Sequence, residues 1–148
     1  MAFPTDTIRR AIAAHLADAG IVAPVLADDE VFPADETRPV AMWGKVRPTP
    51  DAAVVINIYN VITTRDKHNP DVYVQLLCRT GDEDDAATHA LAEQIFDLLD
   101  DRSKFTMGGT VRVLLCVRKI HGVATVDKNG RYVRPESYLF TLNPIGDA

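Results

Sequence analysis

The stretch Val72-Tyr73-Val74-Gln75-Leu76-Leu77-Cys78-Arg79-Thr80 decides the fold. Successive side chains of an extended chain point to opposite faces, so Val72, Val74, Leu76 and Cys78 share one side and Tyr73, Gln75, Leu77 and Arg79 the other. One face is apolar and one is mixed, the pattern of an antiparallel sheet covered by helices on one side only. Three further runs read the same way: Ala53 to Ile62, Val111 to His121 and Ser137 to Asn143, rich in Val, Ile, Leu and Tyr and bounded by turn formers. In the first, Val54, Ile56 and Ile58 alternate with Val55, Asn57 and Tyr59. In the next, Val111, Val113, Leu115 and Val117 oppose Arg112, Leu114, Cys116 and Arg118.

Two helices accompany these strands. The first is expected over Asp6 to Ala19, with Thr5 or Asp6 as cap, Gly20 at the C-terminal left-handed position, and Ile8, Ala11, Ile12, Leu16 and Ala19 on the buried side. The second is expected over Asp84 to Asp101, opened by the acidic run Asp82-Glu83-Asp84-Asp85, whose charge suits a helix N-terminus. Its stripe reads Ala87, Leu91, Ile95 and Leu98, and Phe96 falls on the opposite, exposed side as a candidate partner contact or the floor of a covering loop. The Asn129-Gly130 pair predicts a type I′ hairpin, whose central residues both need positive φ. The fold class is therefore α+β: a mostly antiparallel sheet of four to five strands, two helices on one face, and a protruding β-hairpin.

Between the first helix and the first long strand, residues 21–51 break every regular pattern. Five prolines (Pro24, Pro33, Pro39, Pro48, Pro50) and the acids Asp28, Asp29, Glu30, Asp35 and Glu36 make this an irregular excursion, with a short strand around Val40 to Val46 that carries the only tryptophan, Trp43. So long an excursion inside a compact domain is usually functional or disordered.

Length and composition bound the function. A chain of 148 residues, 47% apolar and 25% charged, is expected to form a single domain, and it is not a disordered tail, a coiled coil or a membrane span. No run approaches the ~20 apolar residues of a spanning helix, and no secretory signal opens the chain, so synthesis and folding in the cytosol are expected. Cys78 and Cys116 lie in apolar strand-like runs without metal spacing and read as buried free thiols. The net charge of -5 is unevenly placed: Met1 to Asp101 holds eight Lys and Arg against eighteen Asp and Glu, and Arg102 to Ala148 holds eight against three. Such poles suit head-to-tail association of subunits.

Sites for chemistry are sparse. Asp85, His89 and Glu93 have the spacing of a helical metal face but no second ligand cluster, and read as a solvated face with local charge pairs. His15 reads as a half-buried, hydrogen-bonded histidine, and neither His68 nor His121 has a partner that makes it a base. Gly-rich phosphate loops, zinc-hydrolase and serine-hydrolase motifs are absent from the sequence. No catalytic residue, cofactor or metal is expected. Arg118, Lys119, Lys128, Arg131 and Arg134 form a basic patch around the hairpin, better matched to an acidic protein surface than to nucleic acid, because the chain is net acidic and no aromatics interleave for stacking.

The run Asp127-Lys128-Asn129-Gly130-Arg131-Tyr132-Val133-Arg134-Pro135-Glu136-Ser137-Tyr138 resembles the D-x-N-G-R-x-x-R-S-x-N/S-Y segment of tail terminator (minor capsid) proteins of long-tailed bacteriophages and gene transfer agents, with Pro135-Glu136 in place of small polar residues. The order of the remaining pieces is similar: N-terminal helix, irregular stretch, a strand ending in Arg79, an acidic linker, a helix of the type A-x-x-L-A-x-x-I-F-D-L-L, a Gly turn, and a strand leading to the hairpin. The similarity is good over Ala53 to Asn143 and positional before that.

This resemblance implies a structural virion subunit at the head-proximal end of the tail, forming a hexameric ring that ends tube polymerisation. The ring would contact the tail tube protein and a head-completion or connector protein, and DNA would pass its lumen without specific binding. The candidate interface residues are Trp43, Lys45, Arg47, Phe96, Arg118, Asp127, Asn129, Gly130, Arg131 and Arg134. Acids of the 28–36 loop or of the second helix would meet Arg131 or Arg134 of a neighbour, and the loop of residues 40–51 and the hairpin would protrude towards the rings above and below. The alternatives are a stopper subunit at the same junction, a cytosolic ligand-binding or catalytic domain using Asn57, Tyr59, Gln75, Arg79, Arg112 and Arg118, and, third, a nucleic-acid module.

Overall fold

The computed structural model describes residues 3–25, 36–81 and 83–144. Asp28, Asp29, Glu30, Asp35 and Asp82, which the sequence reading placed in contacts and at a helix start, lie outside the described residues.

Helix α1 spans Thr5–Asp18 and buries Ile8, Ala11, Ile12, Ala13 and Leu16. Its N-cap is Pro4 rather than Thr5 or Asp6, and no side chain caps it. Asp6 instead accepts the Nε–H groups of Arg9 and Arg10 at 2.9 and 2.8 Å. At the other end Gly20 has φ 77°, its N–H donates to the Ala17 carbonyl, and the Ile21 N–H donates to Leu16. These two bonds are the Schellman closure that the glycine predicted.

Helix α2 spans Ala86–Leu99, two residues shorter at each end than expected. Its buried side is Thr88, Leu91, Ala92, Ile95 and Leu99, while Ala87 is exposed and Leu98 half-buried. The stripe is turned by about one residue. Thr88 can face the core because its hydroxyl bonds that of Thr80, which satisfies both polar groups away from water.

The strands are β1 (Val40–Met42), β2 (Ala53–Ile62), β3 (Asp71–Arg79), β4 (Arg102–Met107), β5 (Val111–Ile120), β6 (Thr125–Val126) and β7 (Tyr132–Leu142). They form one sheet of seven strands in the order β1-β2-β3-β7-β5-β4, with β6 on β7. Only β1 and β2 run parallel. The α+β class and the antiparallel pairing are as expected, but the strand number is larger than four to five. β4 falls between the expected helix end at Asp101 and the Gly turn at Met107, where the sequence predicts no element, since its residues are polar and mostly exposed. It is an edge strand, and its pairing with β5 steps over Lys104, whose φ of 53° marks a break that spoils the edge for further pairing. β7 begins five residues before the apolar run at Ser137.

Both helices pack on one face. α1 contacts β2, β4 and β5, and α2 contacts β3, β5 and β7. The core between them holds Val54 and Ile56 of β2, the alternating Val72, Val74, Leu76 and Cys78 of β3, and Tyr138, Phe140 and Leu142 of β7. Each large side chain fully buried there contributes about 1.5–3 kcal/mol. A smaller cluster of Val40, Met42, Ala53 and Val55, with Leu77 against it, sits apart from this core.

The hairpin differs in type from the expectation. Gly130 has φ 80°, but among the described residues only Asp101 and Lys104 reach positive φ without being glycine, so Asn129 does not. The Gly130 N–H donates to the Asp127 carbonyl and the Asp127 N–H to Arg131. This is a three-residue loop, a type I turn followed by a left-handed glycine. The Asp127 carboxylate selects it by accepting the N–H groups of Asn129 and Arg131, both at 2.9 Å.

Candidate functional site

The ten sequence-predicted residues fall into three places. Trp43 stands alone on the α1 side, half-buried, with the guanidinium groups of Arg9 and Arg10 at 5.7 and 5.3 Å from its ring. Lys45 lies in the exposed segment that follows it.

Phe96, Arg118 and Arg134 meet on the helix-covered face, around a buried carboxylate that the sequence reading missed. β7 alternates, so Arg134 and Glu136 point the same way as Tyr138 and Phe140. Glu136 is 1% exposed and Arg134 2%. One oxygen of Glu136 accepts Arg134 Nη2 at 2.8 Å and Arg118 Nη1 at 3.2 Å, and the other accepts the Gly122 N–H at 2.6 Å. Arg134 also donates to His89 Nδ1 and His121 Nε2, each at 2.9 Å. These bonds set the tautomers: His89 carries its proton on Nε2, towards Asp85 at 3.2 Å, and His121 on Nδ1, towards the Gly122 carbonyl at 3.0 Å. Phe96 is not an open aromatic, because Arg118 covers its ring at 3.9 Å.

The assignment of Arg134 as a cation offered to a neighbour is therefore corrected. A guanidinium taken from water is stabilised by a counter-charge, and Arg134 finds one in Glu136 of its own subunit, with only its Nε left enclosed without a partner. The Asp85-His89-Glu93 row likewise turns His89 towards Arg134 and Asp85. Among the described residues no group of three or more His, Cys, Asp or Glu is placed to hold a metal.

Arg47, Asp127, Asn129, Gly130 and Arg131 gather where the β6–β7 turn meets residues 46–51. Arg131 is 8% exposed: its Nη1 donates to the Pro48 carbonyl and lies 3.6 Å from Asp51, and its Nε reaches Asp127 at 3.3 Å. The backbone N–H groups of Arg131 and Asn129, with the Arg131 charge, hold the Asp127 carboxyl below the usual range. Arg79, 3% exposed, donates to the carbonyls of Asp51, Pro50 and Arg47 at 2.8, 2.7 and 3.1 Å. Burial and then the nearby Arg131 charge lower its pKa. Neither the 40–51 segment nor the hairpin is a free-standing arm, since the two are tied together through Arg79 and Arg131. Of the basic patch read around the hairpin, Lys119 and Lys128 are exposed, and its three arginines are engaged within the chain.

The face of the sheet opposite the helices is apolar along its middle. Tyr73, Leu139 and Val117 lie side by side across β3, β7 and β5, with Tyr59 leaning on Tyr73 at a ring distance of 6.0 Å. Tyr59 is 49% exposed, Leu115 40% and Ile120 57%. The set Asn57, Tyr59, Gln75, Arg79, Arg112 and Arg118 does not converge on a pocket. Arg118 pairs with Tyr138 on the helix side, and Arg79 is closed under residues 47–51.

Residues 32–144 match the model of a protein family described as bacteriophage tail terminator protein. The chain belongs to the bacteriophage tail terminator family. The match includes part of the irregular stretch, where the sequence resemblance was only positional. A search of curated proteins found no match. The tail terminator family is structural, so the chain is a virion component that associates with other tail or head proteins. No helix among the described residues is long and apolar enough to cross a membrane.

Proposed function

We propose that the chain is one subunit of a ring, hexameric as the family resemblance implies, that caps the head-proximal end of the phage tail tube, ends its polymerisation and receives a head-completion or connector protein. It acts as a structural part and not as a catalyst, and DNA passes through the ring without specific contacts. The observation that carries this reading, beside the family, is the open sheet face. Tyr59, Tyr73, Leu115, Val117, Ile120 and Leu139 make a continuous apolar surface on the side that neither helix covers, the kind of surface that protein contacts bury.

A charge placed there tests it without entering the core. Leu115→Glu and Ile120→Glu are both at exposed positions, so each chain should fold, while particles carrying it should have overlong or headless tails under the electron microscope. Normal tails with the double variant would remove the open face from the assembly surface.

A further inference from the structure

We propose that the recess between residues 46–48, the end of β3 and the β6–β7 turn is a binding site for a carboxylate side chain on an acidic peptide segment of a partner protein. The recess has a volume of about 350 Å³ and is lined on its apolar side by Val46, Val55, Leu77 and Val133. Four cations, Arg47, Arg79, Lys128 and Arg131, line it against one carboxylate, Asp127.

Two of these cations are built in rather than merely present. Arg79 is 97% removed from solvent and Arg131 92%, by their exposures of 3% and 8%. Arg79 uses Nε and Nη2 on three carbonyl oxygens and meets no carboxylate, which leaves Nη1 without a partner among the described residues. Arg131 uses Nε and Nη1 and leaves Nη2. Neither nitrogen is sealed from solvent, since neither is among the enclosed atoms without a partner. Two buried guanidinium groups thus each keep a terminal nitrogen able to donate, in a wall where their charges oppose one another. An arriving carboxylate relieves that opposition and takes charge-assisted hydrogen bonds from both.

The surroundings favour a carboxylate on a peptide over a nucleic-acid backbone. The lining offers aliphatic side chains and no aromatic ring on which a base would stack. Asp127 and Asp51 stand beside Arg131 and would repel the next charge of a polyanion. A single carboxylate next to an apolar residue fits both the cationic wall and the aliphatic one.

The test is a titration of the ¹⁵N-labelled full chain, following the Nε–H signals of Arg79 and Arg131. The probe is the peptide acetyl-Val-Ala-Val-Glu-Val-Ala-amide, set against its Gln counterpart, inorganic phosphate and a short single-stranded DNA. The acidic peptide is expected to shift both arginine signals saturably at about millimolar concentration, and the neutral one not to. Lys128→Glu, at the exposed rim, should weaken binding by roughly fivefold to tenfold. Arg79→Lys tests the wall directly, and Lys128→Glu keeps the test alive if that variant does not fold. Silence of both arginine signals in the folded wild-type chain overturns the proposal, as does an equal response to the neutral peptide. A stronger response to phosphate or to DNA replaces the carboxylate by a phosphate ligand and overturns it equally.

Discussion

Glu136→Gln should destabilise the folded chain by about 3–5 kcal/mol, the cost of breaking a buried ion pair by removing one partner. The carboxylate accepts from three donors, Arg134 at 2.8 Å, Arg118 at 3.2 Å and the Gly122 N–H at 2.6 Å. A carboxamide has one oxygen for two directions. Turned to the arginines, it presents its NH₂ to the Gly122 N–H; turned to Gly122, it presents the NH₂ to two guanidinium groups. Either way the Arg134 side chain, 3% exposed, loses its counter-charge. A loss of this size is a large share of the roughly 5–15 kcal/mol by which domains are stable. Guanidinium unfolding followed by the fluorescence of the single tryptophan, Trp43, measures it, at fixed protein concentration because any oligomer would shift the midpoint. Joining Arg134→Met to Glu136→Leu removes both charges and should cost less than Glu136→Gln alone, since apolar replacement of a whole buried pair is often tolerated. A Glu136→Gln cost under about 1 kcal/mol with unchanged slope would refute the reasoning, because the carboxylate would then not be what permits Arg134 to be buried.

Three further outcomes are expected. Gly122→Ala would place its Cβ 1.6 Å from the Pro135 carbonyl oxygen, so β7 or the 121–124 segment must move and the Gly122–Glu136 bond must break; thermal unfolding should show a drop comparable to that of Glu136→Gln. His15 is held below its ordinary pKa of 6.5, first by burial and then by Arg102, and its Nε2 is enclosed without a partner. Its folded pKa is depressed, so its contribution to stability is intact above the unfolded value and is lost as the pH falls below it; wild type should weaken from pH 7 to 5 relative to His15→Leu, and parallel pH profiles would contradict this. Burial drives the Cys78 thiol up to about 12 and raises that of Cys116 as well, so neither should react with a thiol reagent at neutral pH faster than the chain opens.

Much of the fold could be read in one dimension wherever burial follows a simple period. β3 shows it, and the place of Gly20 one turn past Leu16 needs no tertiary information, whereas β2 loses the period over Ala53 to Ile56, all buried, because Ala53 and Val55 pack with Val40 and Met42. Where a polar residue finds a buried partner, the period is hidden. Arg134 and Glu136 occupy core-facing positions of β7, so an apolar criterion started the strand at Ser137. Thr88 displaces Ala87 from the buried stripe of α2 because Thr80, eight residues earlier and just past the end of β3, meets its hydroxyl. β4 gave no signal since an edge strand gains little from apolar side chains. Six of the ten interface candidates are charged, but charge says nothing about facing. Arg131 and Arg134 lie three residues apart, and the strand sends one to the recess and the other to the helix side.

The place of β7 has a consequence for how the protein is made. It lies between β3 and β5, pairing residues 71–79 with 133–141. A ribosome delivers both helices and all six of the other strands before it delivers the strand at the middle. Until then β3 and β5 each carry a bare edge along an apolar strand. Closure of the sheet is a late, long-range event that loop entropy slows, and the waiting intermediate is the form most exposed to mispairing with other chains.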